Sequence, residues 1–187
     1  EWAAEVASEV PAGTGPWKFH LVAGSPDPDS ATQLRVEKIG GILEQLRDDY
    51  DYVVVDLGRS LSKFSLQLLQ RADLIVLIVS TELSSVTLTK TLLDFLRSKN
   101  VKDQTLFTIL NRAVGLEGLS RADVEKALGI DIKTTFPYLA HFTLANNQHQ
   151  PFTLKYPTDT TAVIAFQEVA LRIAEAAHQS REIKRIR

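Results

Sequence analysis

Three short groups of residues in this 187-residue chain have types and spacing that suit ligand chemistry. Asp56 closes the apolar run Tyr52-Val-Val-Val-Asp56 and opens Leu57-Gly58-Arg59-Ser60. A carboxylate so placed can hold a magnesium ion through water, or cap the loop that follows, and the pattern leaves both open. Asn111-Arg112 closes Leu106-Phe-Thr-Ile-Leu110. An amide there has the donor and acceptor to read a base edge, and a guanidinium can stack on the base. An Asn that merely opens the loop 111–118 is the simpler reading of the same residues. Pro137-Tyr138 follows the run 132–136 and either walls a flat ligand from its other side or is a plain turn.

A loop that grips phosphates is missing from these residues. Such a loop needs Gly, four residues and then Gly-Lys-Ser/Thr, because its backbone N–H groups and its Lys surround the phosphates. Gly13-Thr-Gly-Pro-Trp-Lys18 has the composition without the pattern: Pro16 removes a donor, Trp17 is bulky and no Ser or Thr follows Lys18. Gly40-Gly41 lies inside a helical pattern with no strand running into it. The four His residues, at 20, 141, 149 and 178, have no ligand spacing. Neither a Gly-x-Ser-x-Gly elbow nor a paired-carboxylate motif is present. The tail Arg181-Glu-Ile-Lys-Arg-Ile-Arg187 is basic, which suits the end of a helix and also an anionic membrane surface.

The elements that must position these residues follow from periodicity. Apolar runs at 19–23, 52–57, 74–79, 106–110 and 132–136 read as strands. Those at 52–57 and 74–79 are nearly continuous, as strands buried on both faces are. Between them lie helical stripes: Ile39, Ile42, Leu43 and Leu46 within residues 30–47, and Leu88, Leu92, Phe95 and Leu96 within residues 84–99. Ser120-Arg-Ala-Asp123 predicts a capped helix start and Gly129 its stop. A last helix from about residue 161 carries Val163, Phe166, Ala170, Ile173 and Ala174 on one side. Strands alternating with helices imply right-handed crossovers, hence an α/β fold: a mostly parallel, doubly wound sheet in three α/β/α layers. Ligands of such sheets sit at the carboxyl ends of the strands, where the three groups above lie.

The totals bound the function. Lys and Arg number 21 against 23 Asp and Glu, a net charge of −2 that offers no footprint for nucleic acid. With no cysteine the chain has neither disulfide nor thiolate metal site, and a cytoplasmic home is expected. No apolar run is long enough to span a bilayer, and no signal peptide is present. The chain contains no Met even at position 1, which suggests a piece of something longer. Residues 1–10 suit a short helix and 11–16 a linker, so the expected division is an N-terminal segment 1–16, a domain 17–180 and a basic tail 181–187.

Taken in order, these segments resemble the carboxyl-terminal two-thirds of the MinD/ParA family of deviant P-loop ATPases, from about Trp17 to Ala177. Tyr50-Asp-Tyr-Val-Val-Val-Asp-Leu-Gly-Arg-Ser-Leu61 is similar to the family's Walker B and switch II segment, in a form closest to the CpaE/TadZ pilus-assembly branch. Ala72-Asp73, a strand and Thr81-Glu-Leu-Ser-Ser85 resemble the next unit, and Leu110-Asn111-Arg112 the adenine-side motif. Phe136-Pro137-Tyr138 and Ala145-Asn-Asn-Gln-His-Gln-Pro151 resemble the lead into the last helix. The resemblance implies Asp56 near a magnesium ion, Asn111 and Arg112 beside the adenine of ATP or ADP, and Pro137 and Tyr138 lining that pocket. It also implies a homodimer closed by ATP, pilus or secretion proteins as partners, and peripheral contact with the inner face of the membrane. The family's phosphate loop and switch I Asp would lie ahead of Glu1, so this chain alone is not expected to hydrolyse ATP.

Two other functions are compatible with the same residues. One is a scaffold of this fold that has lost nucleotide chemistry and works through protein contacts. The other is a phosphoacceptor receiver, since Asp56 at a strand end with Ser80-Thr81 after the next strand mimics that arrangement. A receiver also needs an acidic pair after its first strand and a Lys after its last. This chain offers Asn111-Arg112 after 106–110 and no acidic pair directly after 19–23.

Overall fold

The computed structural model describes residues 8–9, 19–22, 36–58, 61–112, 117–148 and 150–185, which fall into two units, Glu1–Leu68 and Leu69–Arg187. In the first unit, β1 (Ser8–Glu9) pairs antiparallel with β2 (His20–Leu21), a two-residue ladder. The run 19–23, expected in the parallel sheet, therefore supplies only this short hairpin partner, and Phe19, Leu21 and Val22 are all exposed. The expected helix 1–10 is likewise replaced at Ser8–Glu9 by strand; its other residues, the linker 11–16 and the Gly13–Lys18 stretch lie outside the described residues. A 3₁₀ turn (Val36–Lys38) leads into α1 (Ile39–Asp49), where Ile39 is buried and Ile42, Leu43 and Leu46 are half-buried as their spacing predicts.

Residues 52–57 are the main departure. They form no strand, and Val54 is 92% exposed. An extended apolar run becomes a strand only when its backbone finds a ladder partner. None of the described residues pairs with this one. Next comes α2 (Lys63–Arg71), which the sequence pattern did not predict, begun by Ser62 as its Oγ accepts the N–H of Ser65 at 3.1 Å.

In the second unit the apolar runs do find partners. β3 (Ile75–Ser80), β4 (Leu106–Asn111) and β5 (Thr134–Phe136) form a parallel sheet in that order. The register sets Val76 beside Phe107, Ile78 beside Ile109 and Ser80 beside Asn111, with Phe136 on Asn111's other side. Side chains alternate across a strand, so Leu106 and Leu110 point to one face while Phe107 and Ile109 point to the other. All four are buried, and β4 is therefore covered on both faces.

The two covers are different helices. α3 (Leu83–Ser98) and α4 (Arg121–Leu128) pack on the face of Leu106 and Leu110, where Val86, Leu93, Val124 and Leu128 join one core with Ile75 and Val79. α7 (Thr160–Arg185) serves the opposite face, because the Phe166 ring meets Phe136 edge-on at 4.8 Å and Phe136 shares a face with Ile109. Between β5 and α7 stand two short helices, α5 (Phe142–Asn147) and α6 (Phe152–Lys155). Helix, sheet and helix layers confirm the α/β expectation.

The sheet is open in one place. Val76 and Ile78 of β3 point to the α7 face and are 40% and 62% exposed. The expectation that this strand is buried on both faces is corrected: β3 stands at one edge of the sheet that the described residues form, and its face on the α7 side is left exposed. The stripe on α3 also differs from its sequence reading. Val86, Thr89, Leu93 and Leu96 are the buried set, while Leu88 lies 72% exposed. Two apolar stripes overlap on this helix, and periodicity alone does not choose between them.

Local chemistry holds the ends. At α4, Ser120 Oγ accepts the N–H of Asp123 while the Asp123 carboxylate accepts the N–H of Ser120, a full capping box. Gly129 closes that helix at φ 68°, in the left-handed region where glycine is unstrained. Glu125 accepts both the Arg121 guanidinium at 3.0 Å and the Ile132 N–H at 2.9 Å, tying α4 to the approach of β5. The supposed tail is helical as far as Arg185, with residues 186–187 outside the described part.

Candidate functional site

The carboxyl end of the sheet assembles from three adjacent strand ends. Ser80, Asn111 and Phe136 lie side by side, so the residues that follow each of them leave the sheet together. Asn111 is half-buried at the end of the otherwise buried β4. Arg112 donates its backbone N–H to the carbonyl of Phe136 at 3.0 Å, which extends the ladder past the last side-chain pair. Pro137 is half-buried just beyond, and Tyr138 is 54% exposed. Asn111, Arg112, Pro137 and Tyr138 are thus carried by neighbouring strand ends.

Asp56 belongs to the other unit. Its Oδ1 accepts the N–H of Gly58 at 2.9 Å, and Gly58 has φ 59°. The carboxylate therefore caps its own loop, one of its two sequence readings, while remaining exposed with a second oxygen available to solvent. Arg59 and Ser60, part of the same motif, lie outside the described residues. No group of three or more His, Asp or Glu suited to a metal ion occurs among the described residues.

Two further features stand at this edge. The first is Thr81, fully buried directly after β3. Its hydroxyl donates to the carbonyl of Glu117 at 3.1 Å, and its own carbonyl accepts the Leu119 N–H at 2.8 Å. Gly118 crosses between these two bonds at φ 90°, and a Cβ there would sit 2.5 Å from Thr81 Oγ1. A glycine two residues before a helix cap was the available signal, but its partner 37 positions earlier was not legible.

The second feature is aromatic. Phe152 stacks against Phe142 at 5.9 Å and tilts against Tyr156 at 5.0 Å, and Phe166 links this group to Phe136. Leu139 packs into the same cluster, which includes fully buried Ala145 and Ala162. A groove of about 250 Å³ opens beside it, lined by Phe142, Asn146, Gln150, Pro151 and Phe166. The segment after Pro137-Tyr138 is thereby anchored by ring contacts rather than by a strand ladder. His149 of the same segment lies outside the described residues.

Several known proteins are similar to this chain. A septum site-determining protein MinD of Emiliania huxleyi is 26% identical over 155 residues, which cover 78% of this chain and 56% of that protein. The ParA family ATPase of Chlorobium tepidum superposes with a TM-score of 0.73 at 19% identity, over 81% of this chain and 63% of that one. MinD of Pyrococcus horikoshii, solved with Mg-ADP, gives a TM-score of 0.64 at 15% identity, over 89% of this chain and 65% of that one. MinD in the MinC:MinD complex of Aquifex aeolicus gives 0.56 at 21% identity, over 73% and 60%. The chain spans less than two thirds of the length of each of these proteins. No family profile matches it. Its parallel sheet with flanking helices is the α/β fold of the MinD and ParA ATPases.

Proposed function

We propose that this chain is the carboxyl-terminal part of a MinD/ParA-type ATPase that positions a polar assembly such as a Flp/Tad-type pilus, in the manner of the CpaE/TadZ branch. Residues 17–180 are its share of the ATPase domain. The observation that carries this reading is the common strand edge of Asn111-Arg112 and Pro137-Tyr138 in a chain that superposes on a ParA ATPase. Strand ends of a parallel sheet are where such a fold places its ligand.

In this reading Asn111 pairs with the adenine edge through its amide, and the Arg112 guanidinium lies flat against the base. Pro137 and Tyr138 close the pocket from the neighbouring strand end. The exposed Asp56 carboxylate, braced by the Gly58 N–H, suits a water-held magnesium ion. Magnesium would neutralise phosphate charge, which the described carboxylate alone does not do. The phosphates themselves need a Gly-rich loop with a Lys, which these 187 residues do not contain, so ATP binding requires a loop from outside them. In that complete form ATP favours a homodimer, and hydrolysis releases it. Contact with a membrane surface, pilus or secretion proteins then follows from the assembly, at the inner face of the cell membrane.

Calorimetric titration of the intact protein with magnesium and ATP tests this reading. Saturable binding that depends on magnesium, weakened by Asn111→Ala, is the expected result; no binding at any magnesium concentration sinks it. A fluorescent fusion that gathers at a cell pole supports the positioning role, and a uniform distribution removes it.

A non-hydrolysing scaffold of the same fold is the second reading. It is favoured by the absence of Gly-x-x-x-x-Gly-Lys-Ser/Thr from the whole sequence. Lack of nucleotide binding together with retained polar placement selects it.

A further inference from the structure

We propose that Phe166 of α7 is a positioning residue for the base pocket, holding Pro137 and Tyr138 in place through Phe136 and Leu139. The inference rests on the reading that Pro137 and Tyr138 line that pocket. It adds a side chain from the last helix that acts only through its neighbours.

Phe136 is where the base-side residues meet. Its carbonyl accepts the Arg112 N–H at 3.0 Å, and in register it lies beside Asn111. Pro137 follows it directly in the chain. Past the Arg112 bond the chain leaves the ladder, and Pro137 has no N–H with which to rejoin it. Among the described residues the next backbone tie is the Leu139 carbonyl, which accepts the Phe142 N–H at 3.0 Å. Pro137 and Tyr138 therefore form a short bridge hung between Phe136 and Leu139.

Phe166 acts at both ends of that bridge. Its ring meets Phe136 edge-on, with centroids 4.8 Å apart. At the other end, Phe166 and Leu139 pack on one buried cluster made by Ala145, Phe152 and Ala162. Phe142, whose N–H ties Leu139, also stacks on Phe166, with centroids 6.3 Å apart and planes 26° from parallel. The helix beneath the ring is itself fixed. Ala162, one turn earlier on α7, is fully buried, and its N–H is held by the Asp159 carboxylate at 3.0 Å. Edge-to-face packing sets orientation as well as distance, so an aliphatic side chain at 166 lets Phe136 and Leu139 shift. Tyr138 is 54% exposed, and little packing of its own opposes that shift.

A residue that only packs would stabilise the fold and do no more. The two roles separate in a double-mutant cycle with Tyr138. General loosening weakens ATP binding by the same factor whether or not the Tyr138 ring is present. A residue that acts by placing that ring loses its effect once the ring is gone.

The test uses the intact protein with magnesium and ATP, titrated by calorimetry, with thermal melting alongside. Phe166→Leu is expected to weaken ATP binding about fivefold, the scale of one aromatic contact. In a Tyr138→Ala background the same change is expected to cost less than about twofold. Equal factors in the two backgrounds, or an unchanged affinity in Phe166→Leu, overturn the positioning role and leave the nucleotide reading intact. If Phe166→Leu does not fold, Leu139→Ala, which frees the far end of the bridge, decides by the same comparison. A parent protein that binds no ATP, or an affinity unmoved by Tyr138→Ala, overturns the reading of the pocket, and the role of Phe166 with it.

Discussion

Ser180, near the end of α7, donates its hydroxyl to the carbonyl of Asp73, 107 positions earlier and just ahead of β3. Arg172, on the same helix, reaches the carbonyl of Lys133 at the entrance of β5. Eight helical residues span about 12 Å, close to the two strand spacings of about 4.8 Å each that separate β5 from β3. α7 thus crosses the sheet obliquely, from Phe136 at the carboxyl end of β5 to the amino end of β3. Val76 and Ile78 of β3 remain exposed beside it.

Removing the Ser180 hydroxyl leaves the Asp73 carbonyl without that donor. Ser180→Ala is expected to lower the unfolding free energy by about 1 kcal/mol, the usual net worth of such a bond. Urea unfolding of the chain measures it, and an unchanged midpoint would show that the crossing does not depend on this contact.

Ile78 and Ile109 are neighbours in register on the same face, yet only Ile109 is buried. Ile109→Ala is expected to cost about 2–5 kcal/mol through lost burial and the cavity left behind. Ile78→Ala is expected to stay within about 0.5 kcal/mol of the parent. Comparable losses at both positions would mean that β3 is covered in solution.

The caps of α4 make a paired test. Ser120→Ala removes the acceptor for the Asp123 N–H and is expected to cost about 1 kcal/mol. Gly129→Ala meets open space but keeps a positive φ, so its cost of about 1 kcal/mol comes from backbone strain alone. The two sites sit at opposite ends of the helix, and the double variant is expected to show additive losses by thermal or urea unfolding.

Acid sensitivity follows from two carboxylates. Arg97 donates two hydrogen bonds to Asp103, at 3.0 and 2.8 Å, and holds its carboxyl below the usual carboxylate range. Glu125 is lowered by hydrogen bonds from Arg121 and from the Ile132 N–H. A depressed pKa means that the folded state binds the proton less readily than the unfolded state. The stabilisation is therefore present above the unfolded value of about 4, and is lost as pH falls through the folded one. Arg97→Gln should flatten the decline in unfolding free energy as pH falls below about 4. Curves of equal slope for parent and variant would exclude the Arg97–Asp103 contribution.

Much of this fold is legible in the sequence. The runs 74–79 and 106–110 became β3 and β4 within one residue at their ends, and Ser120 and Gly129 bound α4 as their types require. These elements are specified locally, by side-chain periodicity and by caps whose partners lie within a few residues. The runs 19–23 and 52–57 have the same local character and did not become strands of the sheet. A strand needs a partner, and composition does not supply one.

The strand-end residues divide in the same way. By itself the sequence determined that Asn111-Arg112 and Pro137-Tyr138 each follow an apolar run, and that no phosphate-gripping loop stands among these residues. Only the tertiary structure decided that the two pairs leave neighbouring strands, through a register in which Asn111 lies beside Phe136. It also decided that Thr81 is buried under Gly118, and which stripe of α3 faces the core. The physical reason is range. Caps and periodicity act over one or two turns of chain, whereas register, burial and the fit of a glycine against a distant threonine arise only when remote segments meet.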